Sequence, residues 1–113
     1  MDPDGTAAGL TIDLRPAPDS GIVLALAGYI DLSNVQVLSE AITKALAQAP
    51  EVVVDLAEVT FLDSTGLREF ASGYQQAEAA GARFRVVNPQ GSVLDVLRIA
   101  GMYDYLTKGA NAA

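Results

Sequence analysis

The chain has 113 residues, half of them apolar, with 14 acidic and 7 basic side chains and a formal charge of −7. That length holds one domain able to bury about two thirds of its unfolded surface, and no apolar run approaches the roughly 18 residues of a membrane span. The acidic balance with scattered Arg and Lys argues against direct nucleic-acid binding, and the absence of Cys and His removes disulfides, thiolate nucleophiles, the commonest metal ligand and the commonest general base.

Residues 1–9 are rich in Gly, Ala, Asp and Pro and are expected to be a flexible N-terminus. They carry Asp2 and Asp4 and lack the basic start and apolar middle of a leader, which, with the absence of Cys, fits a cytoplasmic protein. Leu10–Leu14 alternates apolar and polar residues as a half-exposed strand does. Arg15–Gly21, with Pro16, Pro18 and Asp19, is turn chemistry, and Ile22–Ala27 is the more central partner of a hairpin ending at Gly28. A helix follows from Asp31–Asn34, with Val35, Leu38, Ile42, Leu46 and Ala49 on one stripe and Glu40 and Lys44 spaced to pair outside.

Pro50 stops that helix, and Val52–Val54 reads as a short strand buried on both faces, with Asp55 marking its exit from the core. Leu56–Leu62 is expected to be a connection. Asp63-Ser64-Thr65-Gly66 then opens a second helix, carrying Leu67, Phe70, Ala71 and Tyr74 and stopping at Gly81. Arg83–Asn88 is the next strand. Pro89 and Gly91 begin a third helix whose Val93, Val96, Leu97 and Ala100 face the core, and Tyr103–Leu106 is a last turn or an edge strand. Residues 108–113 read as a flexible tail. Phe61, Phe70, Phe84 and Tyr74 are expected in the core, while Tyr29 lies near the sheet edge.

The expected architecture is a single α/β domain over residues 10–107. It has a mixed, mostly parallel sheet of four to five strands, an antiparallel N-terminal hairpin and helices mainly on one side. Neighbouring parallel strands would carry Asp31, Asp63 and Ser64 to one edge of that sheet. The residues there have two readings. Asp63 or Ser64 caps the second helix and Asp31, Ser33 or Asn34 the first; or a hydroxyl at the positive end of a helix is a place where the fold tolerates a phosphate. Hydrolysis by Ser64 lacks a histidine base, and no Gly-Lys-Ser/Thr phosphate loop is present. A receiver-type aspartyl-phosphate site lacks its acidic pair and its lysine. The expectation is a protein that is not an enzyme and needs no cofactor or metal.

Phe61-Leu62-Asp63-Ser64-Thr65-Gly66-Leu67 after a Val-Val-Val-Asp-Leu strand resembles the signature of the STAS domain family, in particular the stand-alone bacterial anti-sigma factor antagonists. Gly28-Tyr29-Ile30-Asp31, Phe84-Arg85-Val86-Val87-Asn88-Pro89 and Val93–Tyr105 resemble further parts of that family, so the likeness spans residues 10 to 107. The resemblance implies a STAS fold and makes Ser64 the phosphoacceptor, with Thr65 as the alternative acceptor and Asp31 and Asp63 flanking it. The partner surface would comprise Tyr29, Asp31, Asp63, Ser64, Thr65 and Gly66. It further implies binding, in the unphosphorylated state, to an anti-sigma factor of histidine-kinase-like ATPase fold that is also the serine kinase, and reversal by a metal-dependent serine/threonine phosphatase. STAS domains also serve as non-switching scaffolds in stress-sensing complexes and as accessory subunits of lipid transporters, which is the alternative.

Overall fold

The computed structural model describes residues 6–109. Five strands, β1 (Thr6–Ala7), β2 (Leu10–Ala17), β3 (Gly21–Ile30), β4 (Glu51–Leu62) and β5 (Arg83–Val87), form one sheet in sequential order. The first three run antiparallel and the β3, β4 and β5 neighbours are parallel. The described residues also form a short 3-10 helix, Pro18–Ser20, between β2 and β3, and four α-helices: α1 (Val35–Gln48), α2 (Ser64–Ala80), α3 (Gly91–Ile99) and α4 (Tyr103–Lys108). The expected flexible ends fall largely outside the described residues; of those that are described, Thr6–Ala7 form β1, Ala8 and Gly9 the turn after it, Lys108 the last residue of α4 and Gly109 its C-cap.

The core lies on one face of the sheet. Leu10 and Ile12 of β2, Leu24 and Leu26 of β3, Val52, Val54 and Leu56 of β4, and Phe84 and Val86 of β5 point the same way and are almost fully buried. Against them pack Leu38, Ile42 and Ala45 of α1, Phe70 and Ala77 of α2, Val93 and Leu97 of α3, and Leu106 of α4. On the opposite face Thr11, Arg15, Val23, Ala25 and Arg85 remain at least partly exposed. This follows from right-handed crossovers taken in sequential order, which put successive helices on the same side.

Several elements differ from the sequence expectation. The segment 56–62 is not a connection but the second half of β4, paired to β3 through Glu58↔Ala27, Val59↔Gly28 and Leu62↔Ile30. Its buried positions, Leu56, Val59 and Leu62, recur every three residues because the register slips twice, between Ala25 and Ala27 and between Gly28 and Tyr29, so the period-two signature of a strand is broken. Asp55 stays within the strand, where its Oδ1 accepts the Ala57 N–H at 3.0 Å and an Asn88 Nδ2 donor at 3.1 Å. Gly28 is not the end of β3 but borders the second slip, where Thr60 is the extra residue of β4: its φ is +110°, and a Cβ there would collide with the Gly9 carbonyl oxygen. Likewise β2 continues through Arg15 to Ala17.

The end of β5 opposite Asp55 leaves the upper edge of β4 unpaired on that side, and the start of α3 covers it. Gln90 Nε2 donates to the Ala57 carbonyl and Ser92 Oγ to the Thr60 carbonyl. Tyr103–Lys108 is a helix, Ala100 is exposed, and the inner stripe of α1 is Leu38, Ile42 and Ala45, with Ala49 buried just past its end. Glu40 accepts from Gln36 at 3.4 Å and forms no ion pair with Lys44.

Candidate functional site

The C-terminal ends of β3 and β4 build the site. Ile30 and Leu62 are register partners, both buried, so the residues after them, Asp31 and Asp63, leave the sheet side by side; the Asp63 N–H donates to the Ile30 carbonyl at 3.2 Å. After Ile30 the chain makes one tight turn before α1. The Asp31 carbonyl accepts the Asn34 and Val35 N–H groups, and Asp31 Oδ1 accepts the Ser33 N–H at 2.9 Å and the Ser33 hydroxyl at 2.5 Å. Asp31 thus shapes the turn before α1.

Asn34 pins that turn. It is the buried polar side chain of the described residues, 1 % exposed, and its amide is fully used. Nδ2 donates to the Ala8 carbonyl at 2.8 Å and the Tyr29 carbonyl at 2.9 Å, and Oδ1 accepts the Asp31 N–H at 3.0 Å. The Tyr29 N–H in turn donates to the Gly9 carbonyl at 2.9 Å. The β1–β2 turn, the end of β3 and the entry to α1 are therefore locked together under Tyr29 and Asp31.

On the β4 side Asp63 is the N-cap of α2. Its backbone is extended, and one oxygen, Oδ1, accepts the N–H groups of Thr65 (2.9 Å) and Gly66 (3.3 Å) and the Thr65 hydroxyl (2.5 Å). Burial by itself would raise the Asp63 pKa. The hydrogen bonds from the Thr65 hydroxyl and from the Gly66 and Thr65 amides outweigh it and hold the carboxyl below the ordinary aspartate value. Ser64, the first residue of α2, is exposed, and its side chain bonds to no other described residue. Gly66 is buried: a Cβ there would overlap Leu62 Cδ1 and come within 2.8 Å of Ile30 Cγ2. It lets α2 sit directly on the strand ends and presents no side-chain surface, unlike Asp31, Asp63, Ser64, Thr65 and Tyr29.

Two residues were missed. Phe61, expected in the core, is 49 % exposed, and Leu32 is 77 % exposed. Phe61 pairs in register with Tyr29, itself 37 % exposed: Tyr29 is outward by the alternation of β3, whose Leu24, Leu26 and Ile30 are inward, and the extra residue Thr60 of β4 turns Phe61 to the same uncovered face and Leu62 inward. Leu32 lies between Asp31 and Ser33 in the turn. Three large apolar side chains thus stand beside two carboxylates and a serine. The only sequence signal for this was the alternation Tyr29-Ile30 and Phe61-Leu62 just before the turns. Among the described residues no cluster of acidic side chains is placed to hold a metal ion, and no helix is long and apolar enough to cross a membrane.

Comparison with known proteins bears on the same residues. A family model described as "Mlab, STAS domain" matches residues 14–108. The anti-sigma-B factor antagonist of Bacillus subtilis (strain 168) is 24% identical over 94 residues, covering 83% of this chain and 86% of that protein. The crystal structure of an anti-sigma factor antagonist from Mycobacterium paratuberculosis is 27% identical, with a TM-score of 0.75 over 91% of this chain and 84% of that one. The anti-sigma factor antagonist SpoIIAA of Bacillus, in its unphosphorylated form, shares the fold at 20% identity, with a TM-score of 0.70 over 83% of this chain and 84% of that one.

Proposed function

Because the chain belongs to the STAS domain family, we propose that it is an anti-sigma factor antagonist, a regulatory binding protein and not an enzyme. In its unphosphorylated form it binds an anti-sigma factor and frees the sigma factor, and phosphorylation of Ser64 switches it off. The observation that carries the reading is the division of labour at the start of α2. Asp63 and Thr65 are committed to the cap, while the neighbouring Ser64 hydroxyl is exposed and bonds to none of the described residues, so a phosphate can be added without removing any of the bonds seen to hold the helix.

The partner in this reading is an anti-sigma factor of histidine-kinase-like ATPase fold, which transfers the γ-phosphoryl of ATP to Ser64 Oγ, releasing ADP and the hydroxyl proton. A metal-dependent serine/threonine phosphatase hydrolyses the ester and resets the switch. The phosphate adds roughly −1.5 to −2 charges, and each unit like charge about 7 Å away on the partner costs on the order of 2 kcal/mol at an effective dielectric of 20. Binding is lost by repulsion rather than by refolding. Tyr29, Leu32 and Phe61 supply the apolar part of the partner surface and Asp31 and Asp63 its acidic rim.

The match to a model described as "Mlab, STAS domain" supports a second reading, a non-switching scaffold or accessory subunit in which Ser64 only opens α2. Paired baits carrying Ser64→Ala and Ser64→Asp, presented to lysate of the native organism, separate the two. An ATPase-fold protein held by the alanine form and lost by the aspartate form is the expected result. Identical partners on both baits would overturn the switch in favour of the scaffold.

A further inference from the structure

We propose that Arg68 is the residue that receives the phosphate of modified Ser64, closing over the first turn of α2; the inference rests on the phosphoswitch reading of Ser64. Residues 64 and 68 stand at i and i+4 of α2, both exposed. Side chains so spaced are neighbours, about 5–6 Å apart at Cβ, and the favourable order for an ion pair is the acidic group N-terminal to the basic one. Helical side chains also lean toward the N-terminus, so a long residue at position 68 covers the surface above Ser64.

Among the described residues the guanidinium has no competing partner. The ion pairs of the described residues involve Arg15, Arg83 and Arg85, and Arg68 makes no hydrogen bond. It is also the one basic residue in the segments that build the site, 29–35 and 60–70, where Asp31 and Asp63 are already present. A planar fork one turn from a new dianion is the arrangement in which arginine pairs with phosphate. Phosphorylation then changes the surface twice: it adds negative charge and withdraws the only cation of the site from any acidic group a partner offers.

Installing phosphoserine at position 64 by genetic encoding or ligation, and following its ³¹P resonance against pH at low salt, tests the pairing directly. The charged groups on the elements around this turn, Asp31, Asp63, Glu58, Glu69, Glu40 and Lys44, are common to the wild type and to Arg68→Gln, so the difference between the two proteins reads Arg68 alone. The expected result is a titration midpoint at lower pH in the wild type, with an acid constant larger by about twofold, and a gap that closes in 1 M NaCl. Coincident midpoints at low salt, or a gap indifferent to salt, would overturn the proposal. Matching amide spectra of the two proteins establish that both are folded. The phosphate is placed by synthesis, so the outcome does not depend on a kinase acting on Ser64. The switch reading fails separately, if the alanine and aspartate baits hold the same partners.

Discussion

Asp63 and Thr65 close on each other through a single atom: Asp63 Oδ1 accepts both the Thr65 N–H at 2.9 Å and the Thr65 hydroxyl at 2.5 Å. Two adjacent hydroxyls at one helix start therefore have different standing. The Thr65 hydroxyl belongs to the cap, and phosphorylating it would break the bond to Asp63 and set a dianion against that carboxylate. The Ser64 hydroxyl bonds to none of the described residues. Under the proposed switch, this difference is what favours Ser64 over Thr65 as the acceptor.

Removing the cap in Asp63→Ala is expected to cost about 1 kcal/mol of stability, within the range of other lost N-caps. The carboxyl is held below its ordinary pKa, so its contribution is fully present above the unfolded-state value and is lost as pH falls through the lower folded value. Asp63→Asn keeps an oxygen for the amides but does not titrate. Urea midpoints of the wild type and the asparagine variant should therefore converge as pH drops into the acid range below about 4, and a constant difference down to the acid limit would refute the assignment.

Asn34→Ala removes three hydrogen bonds from a site that is 1 % exposed and leaves the Ala8 and Tyr29 carbonyls and the Asp31 N–H without their partner. An unpaired buried polar group costs about 1–3 kcal/mol, so a loss of at least that order is expected in denaturant unfolding. The same variant should speed amide exchange at Tyr29 and Asp31 selectively. Uniform acceleration across the sheet would indicate global destabilisation without a local lock.

The capping of α2 was legible because small polar residues before an apolar period are a local signal: Asp63 needs only its next three residues to act. The hairpin and the glycine stop at Gly81 were legible for the same reason, and the parallel β3–β4–β5 order followed from the alternation of strands and helices. What escaped depends on contacts distant in sequence. The second half of β4 is a strand because of β3, and its burial at Leu56, Val59 and Leu62 carries no period of two once bulges intervene. Phe61 is expected on an inward face, but the direction of residue 61 is fixed by the slip between Gly28 and Tyr29. Asn34 looked like a possible cap; its reach to Ala8, 26 residues back, is invisible in local sequence.

Gly66→Ala tests how closely α2 must sit on the strand ends. The added methyl overlaps Leu62 Cδ1 and meets Ile30 Cγ2 at 2.8 Å, both in the buried core, so neither can swing into solvent. Overpacking of this kind costs typically about 1–3 kcal/mol, against the few tenths to one that alanine gains over glycine inside a helix. A lower melting temperature is the expected outcome. An unchanged or raised one would mean that α2 rides outward freely, and that the placement of Ser64 is not set by this contact.

Leu32 and Phe61 offer a separation of stability from binding. Both are large, apolar and exposed, at 77 % and 49 %, so truncating them removes little buried surface and the fold should change by no more than about 0.5 kcal/mol. If the partner covers this edge, the same side chains become desolvated on binding, and exposed apolar residues at the centre of an interface commonly cost about 1–2 kcal/mol or more when cut back. Leu32→Ser and Phe61→Ser should therefore leave the melting curve in place and weaken, by about tenfold each, the affinity for the protein captured by the Ser64→Ala bait, measured by calorimetry. Leu14, 41 % exposed midway along β2 and opposite Leu24, is the control: Leu14→Ser changes the apolar surface by a similar amount away from the site and should leave that affinity unchanged. Equal losses from all three substitutions would show that the partner does not dock on the edge where Asp31 and Asp63 leave the sheet.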